Sequence, residues 1–327
     1  MARKLLIGAA LIIGALWLNN NSLFSRPAAG TEPKLIAHRG VAQTYHREGL
    51  TDKTCTAERI DPPTHPYQEN TIASMQAAFE AGAAVVEIDI HPTPDGHWAV
   101  FHDWTLDCRT EANGVTRQTP MSVLKTLDIG YGYTADGGQT YPFRGKHVGE
   151  MPTLAEVMDA LPEGRFLINF KGGPADDGLL LARAVAQNPA WADRIWGYYG
   201  AAGPTIAAAT ATDLPGGTKP VMKECLLRYI ATGWSGHMPE ACRDTIVFVP
   251  QNYTPLLWGW PHKFTARMEK AGTAVVLLGA HEKGDPGTTG IDSAEQLGDV
   301  PDRFGGYVWT NRIEMIGLLS RDVSREE

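Results

Sequence analysis

From residue 34 onward, short apolar runs of strand length alternate with amphipathic segments of helix length, and this constrains the fold more than any other feature of the chain. The runs at 34–37, 85–90, 166–170, 195–199, 219–222, 245–249, 273–278 and 306–309 read as strands. Between them, 70–82, 154–161, 178–187 and 263–271 read as helices. Strand and helix in alternation predict a parallel sheet, because each parallel connection needs a crossover. About eight such strands predict an α/β fold of the closed (β/α)8 TIM-barrel type over residues 34–320. An open doubly wound sheet would be favoured by a G-x-G-x-x-G turn, and none is present. Two stretches stand outside the rhythm, 41–68 and the Gly-, Thr- and Tyr-rich 103–150. The second is expected as an excursion that follows the second strand and a hairpin strand at 97–101.

Residues 1–30 have a different character. Arg3 and Lys4 precede an uncharged apolar run from Leu5 to Leu18, which Asn19, Asn20 and Asn21 end sharply. Basic residues before an apolar run are the pattern of a signal peptide or signal anchor, so the chain is expected to be exported. The run is shorter than the ~20 residues of a membrane span. The only small-residue cleavage site, Ala28-Ala29-Gly30, lies well beyond it, which favours an uncleaved membrane tether through residues 5–18 with the remainder outside. The four cysteines agree with export. They allow three pairings, of which Cys55 with Cys108 and Cys225 with Cys242 is preferred because each closes within one region of the chain. A formal charge of −8 argues against a nucleic-acid partner.

The chemistry is expected where barrel enzymes place it, at the C-terminal ends of the strands. His38-Arg39-Gly40 follows the first strand. Glu87 and Asp89 lie two apart on the second, so alternation sends both side chains to one face. Asn169 and Lys171 repeat that spacing on the next parallel strand, and His102-Asp103 ends the hairpin strand. Two carboxylates buried side by side cost too much unless a cation or basic groups compensate; a hard divalent cation does so, and oxygen ligands suit Mg²⁺ or Ca²⁺ better than zinc. His91 shares the parity of Asp89, but Pro92 follows at once and it reads as structural. Trp258 and Trp260 precede a helix and are candidates for a lipid-facing rim or for packing.

The stretches LIAHRG at 35–40, ENT at 69–71 and VEIDIHPTPDGHWAVFHDWTLDCRT at 86–110 resemble the glycerophosphodiester phosphodiesterase family, within the wider superfamily of phospholipase C-like phosphodiesterases. MPTLAEV at 151–157, LINFK at 167–171 and YVWTN at 307–311 continue the likeness. The resemblance implies a phosphoric diester hydrolase that converts a glycerophosphodiester to an alcohol and glycerol 3-phosphate. It implies His38 and His102 as acid and base, Arg39 and Lys171 as phosphate contacts, and Glu69, Glu87, Asp89 and Asn169 around a divalent cation, Mg²⁺ or Ca²⁺. The expected partner is a small glycerophosphodiester. A lysolipid cut in the manner of a lysophospholipase D and a non-catalytic barrel that binds phosphorylated ligands are the alternatives. Two departures matter: the family usually carries glutamate where this chain has Asn169, and the segment between Gly40 and Glu69, which contains Cys55, is longer than is usual there, so a Cys55–Cys108 bond would fold it over the site.

Overall fold

The computed structural model describes residues 2–25, 27, 31–51, 53–283 and 289–323. Its strands are β1 (Lys34–His38), β2 (Ala83–Pro92), β3 (Trp98–Val100), β4 (Phe166–Phe170), β5 (Ile195–Gly200), β6 (Gly216–Gly217), β7 (Ile246–Pro250), β8 (Ala274–Leu278) and β9 (Tyr307–Thr310). They hydrogen-bond in the order β6-β5-β4-β2-β1-β9-β8-β7, and β3 pairs antiparallel on β2 alone. Every ladder along that path is parallel. The two ends of the path meet at a seam, where the Thr245 hydroxyl donates to the Gly216 carbonyl at 2.7 Å. The eight parallel strands therefore form a nearly closed TIM barrel.

Helices cover its outside: α1 (Ala2–Asn20), α2 (Ile72–Ala81), α3 (Met121–Leu124), α4 (Leu154–Ala160), α5 (Ala175–Gln187), α6 (Pro189–Ala192), α7 (Ala202–Thr212), α8 (Lys219–Thr232), α9 (His262–Lys270), α10 (Ala294–Gly298) and α11 (Ile313–Val323). Strand parity divides the core in two. Leu35, Ala37, Val86, Ile88, Phe166, Ile168 and Phe170 join the large cluster under the helices. Ile36, Val85, Leu167, Trp196, Ile246, Val276 and Trp309 form a separate one that fills the barrel. Counting upward by twos from Ile36, Val85 and Leu167 leads to His38, to Glu87 and Asp89, and to Asn169. The interior apolar plug is thus the floor of a polar site, held at the strand ends by the period of two.

The expected strand at 219–222 is instead the start of α8, and the strand at that place in the barrel is Gly216–Gly217. Pro220 sits in the first turn of α8, where its missing N–H costs nothing and its fixed φ suits a helix. Only glycine fits the seam, because a Cβ at Gly217 would lie 2.8 Å from the Ile246 carbonyl oxygen. A strand made of two glycines has no side-chain pattern to read.

Both preferred disulfides are present, Cys55–Cys108 and Cys225–Cys242. The first ties the two insertions together, and Ala57 and Ile60 from one pack with Tyr133 and Phe143 from the other. At the N-terminus, Arg267 donates to the Asn19 carbonyl at 2.7 Å, fixing the end of α1 to α9. No helix among the described residues is long and apolar enough to cross a membrane. Residues 28–30, the expected cleavage site, lie outside the described residues.

Candidate active site

The chain leaves β1 through a sharp turn, with Arg39 at φ +61° and Gly40 at φ +79°. This turn aims the Arg39 amide at β2, where it donates to the Glu87 carbonyl at 3.0 Å and to Glu87 Oε2 at 3.1 Å. Asn70, also left-handed at φ +60°, donates its amide to the Arg39 carbonyl at 2.9 Å. Its side chain then brackets Asp89, donating from Nδ2 to Oδ2 at 2.9 Å and accepting the Asp89 amide at 3.1 Å. The HRG and ENT stretches are therefore one structural unit that locks β1 and the start of α2 onto β2.

Two imidazoles are held in the same way. His38 Nδ1 lies 2.6 Å from Asn311 Oδ1. Asn311 Nδ2 donates to Asp292 at 2.7 Å, so its oxygen faces the ring and the proton sits on Nδ1. Nε2 is left as an acceptor, 3.9 Å from Glu87 Oε2. His102 Nδ1 lies 2.5 Å from Asp103 Oδ1, and Asp103 Oδ2 in turn accepts from Arg109 Nε at 2.9 Å. Burial, with Arg39 adding to it, holds both rings well below the ordinary histidine range, so both are neutral at pH 7. Asp89 interacts electrostatically with both histidines, which places them around one cluster.

Within that cluster Asp89, Glu87 and Glu69 are buried beside Arg39. Glu69 binds Arg39 Nη1 at 2.9 Å and Arg109 Nη1 at 3.2 Å. Burial works to raise the Asp89 carboxyl, but Lys171 and Arg39 outweigh it and keep the group ionised far below its usual range. Burial and the neighbouring Asp89 push Glu87 the other way, up to about 8. Tyr199 donates to Glu87 Oε1 at 2.6 Å, and burial together with Glu87 pushes its phenol well above the usual value.

All the predicted site residues except the four cysteines converge here: His38, Arg39, Glu69, Glu87, Asp89, His102, Asn169 and Lys171. Tyr199, Arg109, Asp103, Asn70 and Asn311 join them without having been assigned roles from sequence. Four of these lay inside the motifs already quoted: Asn70 in ENT, Asp103 and Arg109 in the 86–110 stretch, and Asn311 in YVWTN. Tyr199 had the right strand but reads as core, and Arg109 belongs to the irregular 103–150 stretch. His91 is buried on β2, and its Nε2 makes no hydrogen bond. Trp258 Nε1 donates to the Ile230 carbonyl at 2.9 Å, and Trp260 packs against Phe264 and Phe304. Trp260 is thus a packing residue, while Trp258 is tied by its N–H and stays exposed.

The oxygens expected to ligate a divalent ion do not fit one in this arrangement. Each carboxylate oxygen of Glu69, Glu87 and Asp89 already faces an N–H or O–H group or a cationic nitrogen, and Asn169 presents its amide NH₂ rather than its carbonyl to Asp89.

A TIM barrel with neutral paired imidazoles, cationic groups and carboxylates at the C-terminal strand ends is the class that this fold and site define. Residues 38–185 match the model of the Glycerophosphoryl diester phosphodiesterase family. It is 36% identical over 116 residues to a glycerophosphodiester phosphodiesterase of Caldanaerobacter subterraneus, a stretch covering 35% of this chain and 43% of that relative. The chain thus spans less than half the length of that curated relative. Among solved structures, a glycerophosphoryl diester phosphodiesterase domain from Mycobacterium tuberculosis superposes with a TM-score of 0.61 at 15% identity, over 88% of this chain and 98% of that one. An Oleispira antarctica phosphodiesterase in complex with the product sn-glycerol-3-phosphate superposes with a TM-score of 0.52 at 18% identity, over 90% of this chain and 98% of the other.

Proposed function

We propose that this protein hydrolyses glycerophosphodiesters to an alcohol and glycerol 3-phosphate, with His38 and His102 as the acid–base pair. The observation that carries this reading is that both imidazoles are pinned through Nδ1, with Nε2 left for proton transfer beside Arg39 and Lys171. Breaking a phosphodiester needs a base for the nucleophile and an acid for the departing alkoxide. One Nε2 takes the proton of the glycerol hydroxyl next to the ester, whose oxygen attacks phosphorus. The other histidine protonates the alcohol as its P–O bond breaks. Water then opens the cyclic phosphate with the two roles exchanged. The resting rings are neutral, and the anionic phosphodiester favours the imidazolium required of the acid. Arg39 and Lys171 oppose the charge that grows on the phosphoryl oxygens. The product held by the Oleispira antarctica relative supports the same substrate class.

Proteins of this family generally use a divalent cation; no step here is routed through one, because the donor set described above does not fit it. The two disulfides support an oxidising compartment for the folded protein.

The test is turnover of glycerophosphocholine, followed by release of choline and glycerol 3-phosphate, with lysophosphatidylcholine as the competing substrate. His38→Ala and His102→Ala should each lower kcat by about 10²–10⁴-fold with unchanged circular dichroism. Full activity in either variant would refute the assignment. Turnover of lysophosphatidylcholine alone would move the substrate to lysolipids.

A further inference from the structure

The glutamate usual in the family at the Asn169 position is absent here, and the groups around Asn169 account for its loss. Asn169 Nδ2 donates to Asp89 Oδ1 at 2.8 Å and to the Tyr199 hydroxyl at 3.1 Å. Tyr199 in turn donates a hydrogen bond to Glu87 Oε1 at 2.6 Å. These hydrogen bonds join the ionised Asp89 to Glu87 through two neutral side chains. The Asn169 carbonyl packs against Gly200, where a Cβ would lie 2.2 Å from Oδ1. The remaining lone pairs of Asp89 face Lys171 Nζ at 3.5 Å, Asn70 Nδ2 at 2.9 Å and Arg39 Nε at 3.2 Å. A hard cation needs several oxygen lone pairs converging on one point, and here N–H and O–H groups converge on those lone pairs.

We propose that Asn169, Tyr199 and Lys171 occupy the place of the divalent ion, so that this site works without one and the Asn169 position decides the matter. This deepens the reading of the site as a phosphodiesterase and rests on it for the reaction, while its central claim, metal binding, is measured separately.

The experiment titrates Mg²⁺, Ca²⁺ and Mn²⁺ into the wild-type chain and Asn169→Glu, followed by calorimetry and by unfolding temperature. Wild type should show no saturable heat and no shift. Asn169→Glu should gain a shift of roughly 5 °C at a hundredfold excess over its Kd. Stoichiometric binding to the wild-type protein would overturn the proposal and show that Asn169 turns its carbonyl inward. If Asn169→Glu does not fold, the wild-type titration decides alone. EDTA should leave wild-type turnover of glycerophosphocholine within about twofold, and loss that is restored by a metal would also overturn it. Absence of any turnover would remove the proposed activity but leave the titration outcome standing.

Discussion

At Gly40 the backbone takes φ +79°, and a Cβ there would lie 2.6–2.9 Å from the Ser74 hydroxyl and main chain. Both the strain and the clash oppose any side chain at this turn. Gly40→Ala should therefore lose about 3 kcal/mol in urea unfolding and should displace Arg39 from Glu87. His91 sets a different kind of constraint. Burial, with Lys171 adding to it, lowers its pKa from 6.5 to about 4. Above pH 6.5 the ring is neutral in both folded and unfolded chains. Between pH 6.5 and 4 the unfolded chain takes up a proton that the fold resists, so stability falls as pH falls through that window. The loss from this ring approaches about 3 kcal/mol. Urea unfolding at several pH values should show a flatter acid slope in His91→Gln than in wild type; parallel slopes would exclude this origin. The residue types needed for the site were legible because histidines and carboxylates are conspicuous in apolar runs. Tyr199 was not, since a strand tyrosine looks the same whether its hydroxyl is buried in packing or aimed at a carboxylate.

Among the elements, the two insertions act on the site through one bond. Cys55–Cys108 has Thr56 and Arg109 as sequence neighbours, and Arg109 donates to Thr56 at 2.9 Å as well as to Asp103 and Tyr133. Asp103 holds His102, so the disulfide braces the hub that positions an imidazole. With a sequence separation of 53 between the cysteines, loop closure contributes about 4 kcal/mol in the chain-entropy description. The paired substitution Cys55→Ser with Cys108→Ser should show that loss in chemical unfolding. It should also lower kcat for the proposed reaction more than the loss of Cys225–Cys242, which ties α8 to the loop before β7. The pairing was readable from chain proximity. The joint core of 41–68 and 103–150 was not, because neither insertion has a periodic pattern of its own.

On the scale of the molecule, barrel integrity depends on the last helix. Gly317 of α11 meets the end of α2 so closely that a Cβ would lie 2.0 Å from the Ala81 carbonyl oxygen, and Arg321 donates to the Glu80 carbonyl at 2.6 Å. Gly317→Leu should force α11 off α2, lowering the unfolding temperature by about 6 °C or more for about 3 kcal/mol lost. An unchanged value would mean that the helices separate without cost. The layered alternation, the parity that sends His38, Glu87, Asp89 and Asn169 to one side, and the likeness of residues 38–185 to the phosphodiesterase family were legible in the chain alone, because apolar period and short motifs are local properties. Only the tertiary structure decided which atoms face which. A glycine pair became a barrel strand, an asparagine offered its N–H groups instead of its oxygen, and a tyrosine from another strand joined the carboxylates. Each of these depends on contacts between residues distant in sequence, for which no local pattern exists.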